Sequence, residues 1–142
     1  MVIGKWNIYW NEYASDTYLY GARLTVHKKN DVEYENLLMP PGTVIKQWYS
    51  SVNYQKMKIE PALPIIDGES RYHISINIEG LEGMIVRLSF LDRYGQEFDG
   101  LMIREPEMNF RCPLKTYSYN MQLISGGGHY FRFHNITIRE IQ

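Results

Sequence analysis

Apolar residues recur at every second position through most of this chain, in short runs broken by turn formers. The cleanest run is Arg71–Glu79, where Tyr72, Ile74, Ile76 and Ile78 face one way and His73, Ser75 and Asn77 the other. A period of two marks a strand buried on one face. Met84, Val86, Leu88 and Phe90 repeat the pattern in Met84–Leu91, as do Tyr117, Tyr119, Met121 and Leu123 in Tyr117–Ile124. Near the start, Trp6, Ile8 and Trp10 alternate with Asn7, Tyr9 and Asn11. Tyr20, Ala22, Leu24 and Val26 then share a face in Tyr18–His27, and Val32–Met39 follows. Gln96–Ile103 and a short Met108–Cys112 are further strands. In Tyr130–Ile141, Phe131 and Phe133 share one parity, Ile136 and Ile138 the other. A β-bulge near His134 and Asn135 would bring all four to the core.

Turn signals separate these runs: polar Asn11–Asp16, Asn30-Asp31, Pro40-Pro41-Gly42, Asp67-Gly68, Gly80–Gly83, Asp92–Gly95 and the triple glycine at 126–128. The pattern amounts to about ten short strands with a turn roughly every 8–12 residues and no segment of helical period. It predicts an all-β, single-domain antiparallel β-sandwich or jelly roll spanning residues 1–142.

Composition narrows the function classes. The 142 residues carry 44% hydrophobic and 14% aromatic side chains, with 12 tyrosines, which excludes disorder and favours strands. A net charge of −1, with Lys and Arg spread along the chain, gives no nucleic-acid footprint and no polybasic membrane patch. No apolar run approaches a transmembrane length, and MVIGKWN lacks the apolar core of a signal peptide, so a cytoplasmic protein is expected. A single cysteine, Cys112, makes neither an internal disulfide nor a cysteine zinc site.

The stretch Gly42–Pro64 is the strongest candidate for recognition. It opens as a strand in which Val44, Lys46, Trp48 and Ser50 alternate with Ile45, Gln47, Tyr49 and Ser51, then passes through polar Val52–Lys58 to Pro61 and Pro64. Adjacent Trp48 and Tyr49 must point to opposite faces. Val44 and Val52 share the parity of Trp48, which places Trp48 inward and Tyr49 outward. Gln47, Tyr49, Asn53, Tyr54 and Gln55, with Trp48 among them, would form a platform of aromatic and amide groups for a ligand or a partner. The alternative is that Trp48 fills the core and the tyrosines line a turn. A second candidate is a shallow polar floor of His73, Ser75 and Asn77 with Arg87, Ser89, Ser118, Asn120 and Gln122, provided that their three strands are neighbours. Its short donor–acceptor side chains suit a hydroxylated ligand.

Catalytic motifs are absent. His27, His73, His129 and His134 show no metal-ligand spacing, although His129 and His134 could meet across the bulge. Ser50-Ser51 sits in no nucleophile elbow, and Cys112 before Pro113 carries no sign of activation. No enzyme is expected. No cofactor is expected either, although the loop carboxylates are compatible with a structural calcium.

Several strings together resemble one small family. They are Ile8-Tyr9-Trp10-Asn11, Asp16–Gly21, Leu38-Met39-Pro40 with Gly42, and Ile45, Trp48, Ser51 and Asn53-Tyr54-Gln55. Leu63-Pro64, Gly68, Tyr72, Phe90, Asp92-Arg93, Gly95-Gln96, Phe110, Pro113 and Tyr119 continue the likeness, which runs from Ile8 to Ile141. The chain is similar to the third accessory secretory proteins of the accessory Sec system, through which Gram-positive bacteria export serine-rich-repeat glycoprotein adhesins. Pro41 and the glycine-rich Ser125–Gly128 depart from the family pattern.

The resemblance implies a non-enzymatic sandwich like a carbohydrate-binding module, cytoplasmic and peripheral to the membrane through its partners. Those partners would be the first and second accessory secretory proteins, the glycosylated serine-rich-repeat adhesin and the accessory Sec motor ATPase. Acetyl transfer to the adhesin's sugars belongs, in the family, to the second protein. Two functions remain open: a module that binds the adhesin's glycans, and an assembly subunit that holds the other accessory proteins together without binding glycan itself.

Overall fold

A computed structural model describes residues 4–10, 17–50 and 63–141. Ten strands follow in chain order: β1 Lys5–Ile8, β2 Arg23–Lys28, β3 Asp31–Glu35, β4 Val44–Tyr49, β5 Arg71–Glu79, β6 Met84–Leu91, β7 Glu97–Ile103, β8 Glu107–Arg111, β9 Ser118–Ser125 and β10 Tyr130–Ile141. They form two antiparallel sheets. The larger has the order β2-β3-β10-β5-β8, with β1 also paired to β10, and the smaller is β4-β9-β6-β7. The one helical element among the described residues is a 3-10 turn at Leu81–Gly83, and no helix is long and apolar enough to cross a membrane.

The inward faces follow the alternation. Tyr72, Ile74, Ile76 and Ile78 of β5 and Met84, Val86, Leu88 and Phe90 of β6 are all buried, so the two sheets close on a single core. β10 is the longest strand, and the expected bulge is present: its register against β5 shifts between Phe133 and Asn135. The extra residue lets Phe131, Phe133, Ile136 and Ile138 all point inward. β3 and β1 share the other edge of β10, one beyond the other.

The sheets are joined by aromatic rings. Trp48 of β4 stacks on Phe133 of β10 with centroids 5.6 Å apart, and Trp10 meets Trp48 edge-on at 6.1 Å. Phe131 stacks on Tyr34 at 5.1 Å, with Trp10 tilted against both. The Trp48 indole N–H donates to the Tyr9 carbonyl at 3.1 Å, which satisfies its one polar atom inside the core.

Four local expectations are corrected. β2 begins at Arg23 rather than Tyr18, because Leu19–Ala22 closes as a tight turn with Gly21 at φ +75 and Ala22 N–H bonded to the Leu19 carbonyl. Val26, expected inward, is exposed on that edge strand. In β4 the register shifts between Val44 and Lys46, so Ile45 and Lys46 are both buried while Val44 turns outward. Lys46 lies with its ammonium 5.3 Å from the Trp10 ring and 6.0 Å from the Trp48 ring. Tyr117 keeps the parity of Tyr119 but precedes the strand and is exposed.

The bulge also sets the direction of His134. Its Nδ1 faces the Asn30 carbonyl at 2.8 Å and its Nε2 the Glu79 carboxylate at 2.8 Å. Both neighbours are acceptors, so both ring nitrogens donate and the imidazolium is favoured. The Glu79 carboxylate raises the His134 pKa above its ordinary value, with the Asn30 carbonyl adding to it. Asp31 and Arg132, bonded at 2.5 and 2.6 Å on the same face, contribute a fixed charge pair beside it.

Two outcomes follow. Trp48→Ala removes the ring that bridges the sheets and is expected to cost about 3–5 kcal/mol in urea denaturation. A raised folded pKa stabilises fully below the unfolded value of about 6.5 and loses that stabilisation as pH climbs through the folded value. The melting-temperature gap between wild type and His134→Gln is therefore expected to be wider at pH 5.5 than at pH 8.5.

Candidate functional site

The pleat of β4 sends Trp48 into the core and Gln47 and Tyr49 to the opposite, outer face of the smaller sheet. Antiparallel pairing then builds a grid. Gln47 lies opposite Gln122, which lies opposite Arg87, which lies opposite Met102. One row further, Tyr49, Asn120, Ser89 and Gly100 stand side by side. Residues two apart on one strand share a face, so Ser118 extends the same surface.

A chain of hydrogen bonds crosses this grid. Gln122 Nε2 donates to Gln47 Oε1 at 2.7 Å, and Gln47 Nε2 donates to the Tyr49 hydroxyl at 2.7 Å. The Arg87 guanidinium reaches across Ser89 to Glu97, with Nη1 at 3.1 Å from Oε1 and Nη2 at 2.5 Å from Oε2, and also donates to the Ser89 hydroxyl. The bond to Arg87 holds the Glu97 carboxyl below the usual carboxylate range and raises the Arg87 pKa in return. Gly100 leaves the room for this clamp: a Cβ there would stand 3.0 Å from an Arg87 nitrogen. Amides, hydroxyls and one clamped ion pair are what a hydroxyl-rich ligand needs, because each group both orients and is oriented by its neighbours.

The expected sites are partly brought together. Gln47 and Tyr49 of the β4 platform join Arg87, Ser89, Ser118, Asn120 and Gln122 of the polar floor on one face. His73, Ser75 and Asn77 do not join them, because β5 belongs to the other sheet. Trp48 is 2% exposed and turned away from the face. Tyr49 was expected to stand in solvent and is corrected: it is 7% exposed. Its hydroxyl is tied down by Gln47, and the chain returns beside it where Leu63 N–H bonds the Tyr49 carbonyl at 3.1 Å. Asn53, Tyr54 and Gln55 lie outside the described residues. Sequence reading missed Glu97, which belongs to a different strand from Arg87; only the pairing of β6 with β7 reveals the clamp.

The histidines do other work. His129 Nδ1 bonds the Asn36 carbonyl and His134 bonds Asn30 and Glu79, so the two do not meet across the bulge. His73 donates to Asn109, and no group of metal-ligating side chains assembles among the described residues. The Cys112 thiol is buried and burial pushes its pKa up, the reverse of an activated nucleophile.

Two packed antiparallel sheets define a β-sandwich, a fold that carbohydrate-binding modules share. The CBM22-1–GH10 modules of a Clostridium thermocellum xylanase share the fold over 96% of this chain and 26% of theirs, with a TM-score of 0.51 and 13% identity. The family relation comes from closer matches. Residues 17–140 match the family described as accessory Sec secretory system ASP3, and the chain belongs to that family. A Streptococcus gordonii accessory Sec system protein of this family is 34% identical, the match covering 94% of this chain and 91% of that protein. A Staphylococcus aureus member is 22% identical, with 93% of this chain and 42% of that protein covered. The crystal structure of accessory secretory proteins 1, 2 and 3 of Streptococcus pneumoniae contains a chain 30% identical, with a TM-score of 0.88 and 96% of both chains covered. A chain of the glycosylation associate protein complex of Streptococcus agalactiae superposes with a TM-score of 0.89 at 30% identity, covering 98% of this chain and 45% of that one.

Tyr49 now separates two roles within one side chain. Tyr49→Phe keeps the buried ring and loses the Gln47 bond, an expected cost of about 0.5–1.5 kcal/mol for that bond. Tyr49→Ala also empties the buried space that the ring fills and is expected to cost about 3 kcal/mol or more in the same urea titration.

Proposed function

We propose that this chain is a non-catalytic subunit of the accessory Sec complex that binds glycosylated serine-rich-repeat adhesin in the cytoplasm and helps to deliver it to the dedicated translocase. The single observation that carries this reading is the Gln122–Gln47–Tyr49 relay beside Asn120, on the outer face of the smaller sheet in a fold shared with carbohydrate-binding modules. Amide groups held in register on a rigid sheet recognise vicinal hydroxyls and acetamido groups without chemistry of their own. Relatives at 30% identity come from assemblies of accessory secretory proteins, which supports the first and second such proteins as partners here. The motor ATPase would receive the adhesin from that assembly.

A second reading rests on a different surface. Buried Asn36 donates to the Tyr20 carbonyl at 2.8 Å and accepts from Leu38 N–H at 3.0 Å, which clamps two turns side by side. Leu19, Tyr20, Leu37 and Leu38 on those turns are 54–74% exposed. Rigid apolar turn tips suit a protein interface. In this reading the chain is an assembly subunit that binds no glycan.

One experiment separates them. A few amide hydrogen bonds, each worth about 0.5–1.5 kcal/mol, fall short of the roughly 4 kcal/mol of millimolar affinity after the cost of ordering the ligand. Free N-acetylglucosamine and glucose are therefore expected not to bind measurably. A glycosylated repeat is expected to bind with affinity that grows with repeat length, through rebinding along the chain, and more strongly in the presence of the other accessory proteins. Gln47→Ala with Gln122→Ala is expected to abolish the glycan-dependent part and leave the complex intact. Equal binding of glycosylated and bare repeat, with loss of the complex on Leu37→Ser and Leu38→Ser, would establish the assembly reading instead.

A further inference from the structure

The outermost strands of a sheet leave a row of N–H and C=O groups without a ladder partner, and folded proteins blunt such edges. This sandwich blunts most of its own. The outer side of β4 is covered where Thr17 bridges Lys46 and Tyr18 N–H bonds the Ile45 carbonyl at 2.7 Å. β2 carries Arg23, His27 and Lys28, and its register shifts between Val26 and Lys28. β8 is five residues long with Glu107 and Arg111 at its ends, and β1 is four residues long and opens with Lys5.

β7 is guarded over half its length. Its first half holds Glu97 and Asp99 and shifts register against Phe90 and Leu91, and the Gly100 N–H donates to the Asp99 carboxylate at 2.8 Å. Its second half, Gly100 to Ile103, has neither charge nor proline. Among the described residues β7 pairs with β6 alone, and Met102 is 53% exposed. Four residues suffice to add a strand in this fold, since β1 is held on β10 through four paired positions. A strand edge is complemented by another extended backbone, because its donors and acceptors repeat along the chain. The pleat then sets the side chains such a strand can carry. Alternate residues would lie beside Leu101 and Ile103, which turn toward the core, so that side favours small side chains. The other set would lie beside Gly100 and Met102, at the open end of the two rows that run through Asn120 and Gln122. That set can carry a bulky substituent.

We infer that the Gly100–Ile103 edge of β7 binds an extended polypeptide rich in small residues, adding it to the four-stranded sheet as a fifth strand. Any sugar that the polypeptide carries then stands on the outer face, beside the amide grid. The edge reads backbone, so a bare polypeptide binds as well, and only the choice of a serine-rich chain rests on the function proposed above.

Hydrogen–deuterium exchange of the full chain, with and without a bare peptide of alternating serine and alanine, tests it. The β7 amides that face away from β6 exchange quickly in the free chain. The peptide is expected to slow them and to leave the edges of β2 and β8 unchanged. Replacing two alternate residues of the peptide by proline removes two N–H donors and is expected to weaken binding about tenfold or more. Met102→Lys puts a charge on the edge and is expected to abolish the protection, whereas Val26→Lys on β2 should not. Both positions are exposed, and the proline peptide tests the wild-type chain without any variant. A peptide that binds without protecting β7, or equal protection by the proline peptide, overturns the inference. The glycan reading survives that result if a glycosylated repeat still shifts the Gln47 and Gln122 amides. Protection of β7 that needs no peptide and grows with protein concentration overturns the inference too, because a second copy would then be the occupant. Repeats that bind nowhere on the chain, bare or glycosylated, overturn both.

Discussion

The stack of Trp48 on Phe133 is the contact on which both faces of the sandwich depend. It is the point where β4 of the smaller sheet is pinned to β10 of the larger, with Trp10, Phe131 and Tyr34 completing the cluster. Because the side chains of a strand alternate, the ring that enters the core at Trp48 obliges Gln47 and Tyr49 to leave it. Because β10 bulges after Phe133, the strand both supplies the partner ring and directs His134 outward to Glu79. One interior contact thereby sets the register of two exterior surfaces.

The two surfaces differ in how their polar groups are satisfied. On the smaller sheet the groups bond one another in sequence, Gln122 to Gln47 to Tyr49, and Arg87 to Glu97 across Ser89. Such a face is preorganised and neutral, and it suits neutral hydroxylated ligands. On the larger sheet the groups pair as charges, Arg132 with Asp31 and Glu33 and His134 with Glu79. The Asn36 clamp adds a third, apolar surface at the turns. Under the proposed function, a subunit that holds an extended, glycosylated polypeptide while docked to other proteins would have a use for three chemically different surfaces.

The strand pattern was most legible where one face is fully buried, as in β3, β5, β6, β9 and β10, because alternation there maps directly onto burial. Even the β10 bulge could be inferred, since Phe131 and Ile136 lie on opposite parity and are equally apolar. What alternation could not show was which strands are neighbours. His73, Ser75 and Asn77 have the same composition as the Ser118–Gln122 set, yet β5 and β9 belong to different sheets. The same limit hid Glu97 from Arg87. Tyr49 shows a different gap: parity gives the direction of a side chain, not what lies above it, and Tyr49 points away from the core yet is buried. At Val44 a bulge in β4 reversed the parity argument that placed Trp48 inward, although the inward position itself was right.

The most direct test of the account is a residue-resolved map of ligand contact. Amide and side-chain NMR shifts of the isotopically labelled chain, recorded while a glycosylated serine-rich repeat is added, report each surface separately. The account predicts shifts at the side-chain amides of Gln47, Asn120 and Gln122, saturating together and absent with the bare repeat. Shifts confined to Leu37, Leu38 and the neighbouring turn, or identical changes with glycosylated and bare repeat, would contradict it.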